Sequence, residues 1–104
     1  MLSFFKKLFT NSNAVELTTA LHSGALLVDV RTPAEFAAGS AKGAINIPLF
    51  QLSNHLPKLH RHTSIVVFCA SGVRSTQAKH LLSKAGIQTV YNGGTWQKIN
   101  SLLK

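Results

Sequence analysis

Short apolar runs alternate along this 104-residue chain with segments in which apolar and polar residues mix. Two of the runs, Ala25–Val30 and Ser64–Ala70, are almost continuously apolar, which is typical of strands buried on both faces of a sheet. Two shorter runs predict further strands, Gly43–Leu49, which Pro48 halts, and Thr89–Tyr91. The pattern alone thus predicts four short strands, separated by segments long enough for helices.

A first helix is predicted before the first strand. Asn13 and Glu16 have the spacing of a capping box, in which the side chain of each residue accepts a hydrogen bond from the backbone N–H of the other. Gly24 would end this helix, since glycine readily adopts the backbone conformation of a helix C-terminus. We expect the helix to present one inward face, formed by Val15, Leu17, Thr18 and Leu21.

Further helices are predicted after each of the next strands. A short one begins near Thr32, with Pro33 at a favoured first-turn position and Glu35 as a capping residue, and Gly39 closes it. A third helix is predicted over Leu49–Leu59, interrupted by Pro57. A fourth spans Val73–Ala85 and ends before Gly86, with an inward face formed by Ala78, Leu81, Leu82 and Ala85. After a turn at Asn92–Gly94, a C-terminal helix carries Trp96, Ile99, Leu102 and Leu103.

The alternation of strands and helices predicts one α/β domain. Such an order favours a parallel sheet with helices on both faces. The length suits a single compact domain, and we expect that domain to comprise residues 13–104, behind a leader segment of residues 1–12.

Composition supports a folded domain and indicates the class of ligand. Hydrophobic residues make up 45% and charged residues only 13%, which argues against disorder. Eleven Lys and Arg against three acids give a formal charge of +8, so the surface should favour anions. The basic residues are scattered rather than clustered, unlike those of a nucleic-acid-binding protein, and no nucleic-acid partner is predicted.

The N-terminus and the single cysteine bear on location. Lys6 and Lys7 interrupt the apolar residues of "MLSFFKKLF", so the segment lacks the apolar centre of a secretory signal. Residues 1–9 could form an amphipathic turn that contacts a membrane or a partner, but a leader packed on the domain is the preferred interpretation. Because one cysteine allows no intramolecular disulfide, the chain fits a reducing compartment, and we expect a cytoplasmic protein.

The only cysteine, Cys69, marks the candidate site. It ends an apolar strand, and ligands of parallel α/β folds bind beyond the carboxyl ends of strands. Gly72 lets the following loop curve, so that the amides of Ala70–Ser75 can form an anion-binding nest at the start of the next helix. Arg74 could bind an oxyanion or brace the loop. A lone thiol is often a core residue, but this setting favours a thiolate nucleophile aimed at an anionic substrate.

Three blocks of the sequence resemble the signature motifs of the rhodanese-like sulfurtransferase family. They are Leu26–Leu49, Val66–Gly86 and Val90–Gly94, and they occur in the family's order and spacing. The resemblance implies a three-layer α/β/α fold with a five-stranded parallel sheet. It also implies an active loop from Cys69 to Arg74, in which Cys69 carries a persulfide between two half-reactions.

The resemblance further implies the roles of residues and partners. Cys69 would take a sulfane sulfur from a small anionic donor such as thiosulfate and pass it to a thiol or cyanide, or to a protein of a sulfur relay. The substrate-binding loop would comprise Ala70, Ser71, Gly72, Val73, Arg74 and Ser75. Asp29 and Arg31 match the family's acidic and basic positions near the loop, where we expect them to support the site by pairing with the backbone or with each other.

Other functions are weighed against sulfur transfer. Related phosphatases of the Cdc25 type have one more residue between Cys and Arg, whereas four residues separate Cys69 from Arg74, and the loop holds no acid. A phosphatase or arsenate reductase is therefore the weaker alternative, and a persulfide carrier or sensor with little turnover of its own is the other. Neither metal nor cofactor is predicted, because His55, His60 and His62 are interpreted as solvated.

Two departures from the family pattern leave the wall of the pocket undefined. Ser40 replaces the family's usual histidine, which we expect to alter packing rather than activity. Trp96 comes two residues after Gly94, and Lys98 holds the family's usual tryptophan position, so the last helix could dock differently. Tyr91 and Trp96 are expected to pack in the core or at the sheet edge.

Overall fold

The computed structural model describes residues 11–104 of the protein. Its elements, in chain order, are α1 Asn11–His22, β1 Leu26–Asp29, α2 Pro33–Ala38, β2 Ile45–Asn46, a 3₁₀ helix Leu49–His55, α3 Leu56–Leu59, β3 Ile65–Cys69, α4 Val73–Lys84, β4 Val90–Thr95 and α5 Trp96–Leu102. The predicted leader lies almost wholly outside the described residues, as does the segment considered for membrane contact. None of the helices within residues 11–104 is long and apolar enough to cross a membrane.

The strands form one parallel sheet in the order β2-β1-β3-β4. Each of the four apolar runs supplies one strand, and the other segments of residues 11–104 form helices and turns. The implied five-stranded sheet is therefore wrong for this part of the chain, where the sheet has four strands. The prediction of a parallel sheet is confirmed.

Helices cover both faces of the sheet, as the order of elements predicted. One buried cluster joins a face of β1 and β3 to the 3₁₀ helix, α3 and α4, through residues such as Val67, Leu52 and Leu82. The other joins the opposite face to α1 and α5, through Phe68, Leu21 and Ile99. All five residues of β3 are buried, because consecutive side chains of this central strand enter opposite clusters. The fold is thus a three-layer α/β/α sandwich.

The first helix differs from its prediction in start and in face. It is already formed at Asn11, so the predicted cap at Asn13 is wrong. Leu17, Ala20 and Leu21 form its buried face, whereas Val15 is 67% exposed. Residues three and four positions apart share a helix face, and Val15 lies only two positions from Leu17, which places it on a different side.

The last strand is longer than predicted, and it replaces the predicted turn. β4 continues through Gly93 to Thr95 because it pairs with β3 up to Cys69, across an irregularity between Val67 and Cys69. A Cβ at Gly93 would lie 2.6 Å from Cδ1 of Ile99, so this glycine allows α5 to pack closely on the sheet. Gly93 therefore serves close packing within the strand, whereas Gly94 has a left-handed backbone (φ +78°) and a Cβ there would meet nothing within 4 Å.

Candidate active site

The fold places Cys69 at the edge of the sheet where the parallel strands end. It is the last residue of β3 and is fully buried. Asp29, the last residue of the neighbouring strand β1, pairs in register with Phe68, so both strands end at the same edge. Helix α4 begins at Val73, and its N-terminal amides have no partners within the helix. A strand end and a helix start therefore converge on the only thiol.

Backbone amides of the loop point at the sulfur. Gly72 has a φ of +99°, which favours glycine, and its N–H donates to Sγ of Cys69 over 3.0 Å. The N–H of Ser75 donates to the same sulfur over 3.4 Å. Ala70 and Ser71 are exposed and Val73 is 65% exposed, so the outer half of the loop faces solvent. Two loop amides thus form a cradle that donates to Sγ of Cys69, and the loop is open on the side that faces solvent.

The side chain of Ser75 completes this cradle. Its hydroxyl oxygen lies 3.5 Å from Sγ of Cys69 and can accept the thiol proton. Burial raises the pKa of the Cys69 thiol, but hydrogen bonds from the hydroxyl and amide of Ser75 and the amides of Ser71 and Gly72 outweigh it. The pKa of Cys69 therefore lies below its ordinary value, which favours the nucleophilic thiolate.

Arg74 braces the loop by an ion pair with Glu35. Its Nη1 and Nη2 donate to the two carboxylate oxygens of Glu35 over 2.7 and 3.0 Å. The hydrogen bond from Arg74 is the main reason why the pKa of Glu35 falls to about 2, and the pair raises the pKa of Arg74. Glu35 also completes the predicted capping box with Thr32 at the start of α2. Its contact with the active loop was not predicted.

Asp29 and Arg31 form a buried pair beside the loop. The backbone N–H, Nε and Nη2 of Arg31 all donate to the Asp29 carboxylate, and Nη2 also donates to the carbonyl of Gly39. The hydroxyl of Ser40 donates to Asp29 over 2.7 Å. The guanidinium of Arg31 lies 5.3 Å from the centre of the Trp96 ring. The two residues thus pair with each other and the backbone, as expected. Ser40 and Trp96, the two departures from the family pattern, both contact this pair.

Asn92 also lies at the site, although its sequence context did not predict this. Its amide contacts Ser75 and Thr76, both in the first turn of α4. Because Asn92 was assigned to a turn, its side chain had no predicted partner. The one available signal was its position in the "VYNGG" block, next to glycines that allow close approach.

The histidines considered as metal ligands do not form a metal site in the structure. Within residues 11–104, no group of three or more potential metal ligands lies together. His60 and His62 are exposed and line a shallow depression near Gly86, away from the cysteine. Tyr91 is half-buried against the cluster of α1 and α5. The site comprises one buried sulfur, the amides that donate to it and two arginine–carboxylate pairs.

Comparison with known proteins relates this arrangement to a family. Residues 13–98 match the family model described as "Rhodanese-like domain". The chain is 37% identical over 67 residues to the "Sulfurtransferase" of Allochromatium vinosum, a match that covers 64% of this chain and 63% of the relative. It is 35% identical over 69 residues to "Thiosulfate sulfurtransferase PspE" of Escherichia coli, which covers 64% of this chain and 66% of the relative. The matches thus span somewhat less than two thirds of these relatives.

A solved structure and a relative of a different named activity also resemble this chain. The structure "Human Single Domain Sulfurtranferase TSTD1" superposes with a TM-score of 0.66 at 32% identity, over 80% of this chain and 88% of that one. Another relative, "tRNA uridine(34) hydroxylase" of Bartonella bacilliformis, is 31% identical over an alignment of 88 residues, and the match covers 76% of this chain but 29% of the relative. Proteins of more than one named activity therefore contain a similar domain.

Proposed function

This chain belongs to the rhodanese-like domain family, and from its site we propose that it is a sulfurtransferase of the thiosulfate sulfurtransferase type. Cys69 would take a sulfane sulfur from a donor such as thiosulfate and deliver it to a thiol or cyanide. The observation that carries the proposal is a buried thiol at the end of β3 whose sulfur accepts two backbone N–H groups. Relatives named as sulfurtransferases support it.

The first half-reaction loads the enzyme. The Cys69 thiolate attacks the sulfane sulfur of thiosulfate, a new S–S bond forms, and the donor's S–S bond breaks so that sulfite leaves with the electron pair. The negative charge that was on Sγ then resides on the terminal sulfur of the persulfide. In the second half-reaction an acceptor thiolate or cyanide attacks that terminal sulfur, and Cys69 leaves as a thiolate. No external oxidant or reductant is required.

The loop residues have distinct roles in this proposal. Amides of the loop formed by Ala70, Ser71, Gly72, Val73, Arg74 and Ser75 would stabilise the anionic sulfur, because those of Gly72 and Ser75 already donate to Sγ of Cys69. Arg74 holds the loop through its ion pair with Glu35. Asp29 and Arg31 would support the edge of the sheet from which Cys69 projects. A cytoplasmic location stays a prediction.

Mass spectrometry of the intact protein tests the proposal. After treatment with thiosulfate we expect a mass gain of one sulfur atom on Cys69, lost on addition of cyanide as thiocyanate forms. Cys69→Ser should fold normally, as its thermal unfolding would show, and should gain no sulfur. A wild-type protein that gains no sulfur from thiosulfate or from a low-molecular-weight persulfide would contradict the proposal, and hydrolysis of a phosphate ester would support the phosphatase alternative instead.

A persulfide carrier loaded by a partner protein is the second candidate. One observation favours it: both arginines of the site pair with carboxylates, Arg74 with Glu35 and Arg31 with Asp29. A small anion that approaches Cys69 therefore meets arginines whose charge is largely compensated. Slow turnover with thiosulfate, together with rapid loading by a persulfidated protein, would distinguish a carrier from an enzyme that acts independently.

A further inference from the structure

The side chain of Asn92 connects β4 to the first turn of α4. Its Oδ1 accepts the N–H of Gly94 over 3.0 Å and lies 2.7 Å from the hydroxyl oxygen of Ser75. Its Nδ2 donates to Oγ1 of Thr76 over 2.9 Å. The Ser75 hydroxyl in turn lies 3.5 Å from Sγ of Cys69, so Asn92 contacts the reacting sulfur through Ser75.

These contacts determine the orientation of the Asn92 amide. The N–H of Gly94 can only donate, so the atom that faces it must be the carbonyl oxygen. Exchange of the oxygen and nitrogen would set two donors against each other at Gly94. Since Oδ1 can only accept, the short contact with Ser75 requires the Ser75 hydroxyl to donate its proton to Asn92.

The alternative acceptor for this proton is already occupied. The carbonyl of Gly72 lies 3.1 Å from the Ser75 hydroxyl, but it accepts the N–H and the hydroxyl of Thr76 over 3.1 and 2.7 Å. A carbonyl oxygen has two lone pairs, and Thr76 uses both. The proton of Ser75 therefore has two acceptors to choose between, Oδ1 of Asn92 and the sulfur of Cys69 when that sulfur is ionised.

We propose that Asn92 is a positioning residue of the site, because its amide oxygen competes with the ionised Cys69 sulfur for the single proton of the Ser75 hydroxyl. The thiolate accepts complete hydrogen bonds from the amides of Gly72 and Ser75. It accepts the hydrogen bond of the Ser75 hydroxyl only part of the time, because Asn92 accepts it otherwise. Once a persulfide forms, the negative charge moves to the terminal sulfur. Sγ then no longer competes for the Ser75 proton, and the hydroxyl donates to Asn92 without weakening the stabilisation of a charge on Sγ. Asn92 thus weakens the stabilisation of the empty thiolate relative to the loaded state.

The charged groups around Cys69 leave this competition intact. On its own loop lies Arg74, paired with Glu35 of α2, and at the end of β1 lies Arg31, paired with Asp29. β4 brings only uncharged residues to this edge, namely Asn92, its two neighbouring glycines and Thr95, which pairs with Cys69. Each nearby charge is compensated by a partner, and a substitution at Asn92 leaves these pairs in place.

The rate of Cys69 alkylation by iodoacetamide, measured against pH, tests the proposal. In Asn92→Ala the Ser75 hydroxyl is released to the thiolate, so we expect the profile to shift to lower pH and alkylation below the thiol pKa to accelerate by roughly tenfold, the effect of a hydrogen bond to a charged group. Ser75→Ala should shift the profile to higher pH. In the double variant the acceleration should vanish, since Asn92 acts only through Ser75.

The double-mutant cycle separates positioning from mere support of the loop. A loosened loop would withdraw amides from the sulfur and shift the Asn92→Ala profile to higher pH, which would overturn the proposal. An acceleration that persists without Ser75 would overturn it as well. Thr76→Ser serves as the control, because it keeps both the hydroxyl that accepts from Nδ2 and its hydrogen bond to the carbonyl of Gly72, and its profile should match that of the wild type.

A second variant covers the case in which Asn92→Ala does not fold. Asn92→Asp keeps an oxygen for both Gly94 and Ser75, and its carboxylate holds the Ser75 proton more strongly. We expect slower alkylation than in the wild type, and a smaller slowing when Ser75 is Ala. Equal slowing in both backgrounds would contradict the competition. The inference serves the proposed sulfur transfer, but the assay reads the thiol itself, so either can fail without the other.

Discussion

Arg74 of the active loop and Glu35 of helix α2 form a two-pronged ion pair, with Nη–Oε distances of 2.7 and 3.0 Å, although 39 positions separate them in the chain. Both side chains are about one third exposed, so solvent and salt screen the pair. Its main consequence is therefore local. The guanidinium is held toward α2, and its charge is compensated beside the site that would receive an anionic donor.

Removing the charge of Glu35 should improve the use of anionic donors. In Glu35→Gln the amide oxygen can still accept the Thr32 N–H of the capping box, but the positive charge of Arg74 is no longer compensated. We expect the KM for thiosulfate to fall several-fold with kcat little changed, as measured by steady-state sulfite release. The gain should shrink at high ionic strength.

Arg74→Ala is the counterpart of this change. It leaves the Glu35 carboxylate without its partner beside the loop, so the KM for thiosulfate should rise, and Arg74→Lys should recover part of the loss. If Glu35→Gln and Arg74→Ala shifted the KM in the same direction, the ion pair would not control the charge that the donor meets.

Glu35 should also contribute to the acid stability of the protein. Its pKa is about 2 in the folded chain against an ordinary 4.5, so between these values the unfolded chain binds more protons. The stabilisation is complete above pH 4.5 and is lost as the pH falls through about 2. Thermal unfolding followed from about pH 5 to pH 2 should show a steeper loss for the wild type than for Glu35→Gln. Parallel curves would contradict the assignment.

The left-handed backbone at Gly72 should matter for activity as well as for stability. Alanine at a φ of +99° costs about 1–2 kcal/mol and displaces the N–H that lies 3.0 Å from Sγ. We expect Gly72→Ala to lower the rate of persulfide formation by about 100- to 1,000-fold, comparable to the loss of one oxyanion-hole donor.

Gly24 provides a matched control. It has a φ of +86° at the end of α1, and a Cβ there would meet nothing within 4 Å. Gly24→Ala should therefore destabilise the protein to a similar degree, by urea denaturation, while it transfers sulfur at the wild-type rate. Equal losses of activity in the two variants would mean that stability alone accounts for the effect of Gly72.

The buried pair of Asp29 and Arg31 should be the most sensitive electrostatic feature of the fold. Asp29 is fully buried and Arg31 is 5% exposed, so Asp29→Asn leaves a buried guanidinium without a counter-charge. Breaking a buried pair in this way costs about 3–5 kcal/mol. Urea denaturation should show that Ser40→Ala, which removes one hydrogen bond to the same carboxylate, costs less, about 1.5–3 kcal/mol. A milder effect for Asp29→Asn would contradict a charge-balancing role.

Local features of the site could be predicted because neighbouring residues produce them. The capping box of Thr32 and Glu35 lies within one turn, and the conformation of Gly72 follows from a sharp loop between a strand and a helix. Asp29 and Arg31 are two positions apart and were expected to pair with the backbone or with each other, and they do both. In each case, a short segment contains both partners.

Contacts between distant segments could not be predicted in the same way. The face and start of α1 depended on which side of the sheet it covers, and β4 extends past Tyr91 only because β3 is there to pair with it. Ser40 stood out only as a departure from the family pattern, and in the structure its hydroxyl donates to Asp29. Periodicity in one segment contains no information about the partner that will lie across from it.

The order of apolar runs and turn residues was sufficient to specify an α/β domain with Cys69 at the end of a central strand, because burial and backbone preference act over a few residues. The identity of the groups around that sulfur required the folded chain. Glu35 reaches Arg74, and Asn92 reaches Ser75, only after parallel pairing has brought the ends of β1, β3 and β4 to one edge. Distances in space set these hydrogen bonds, and separation along the chain does not reveal them.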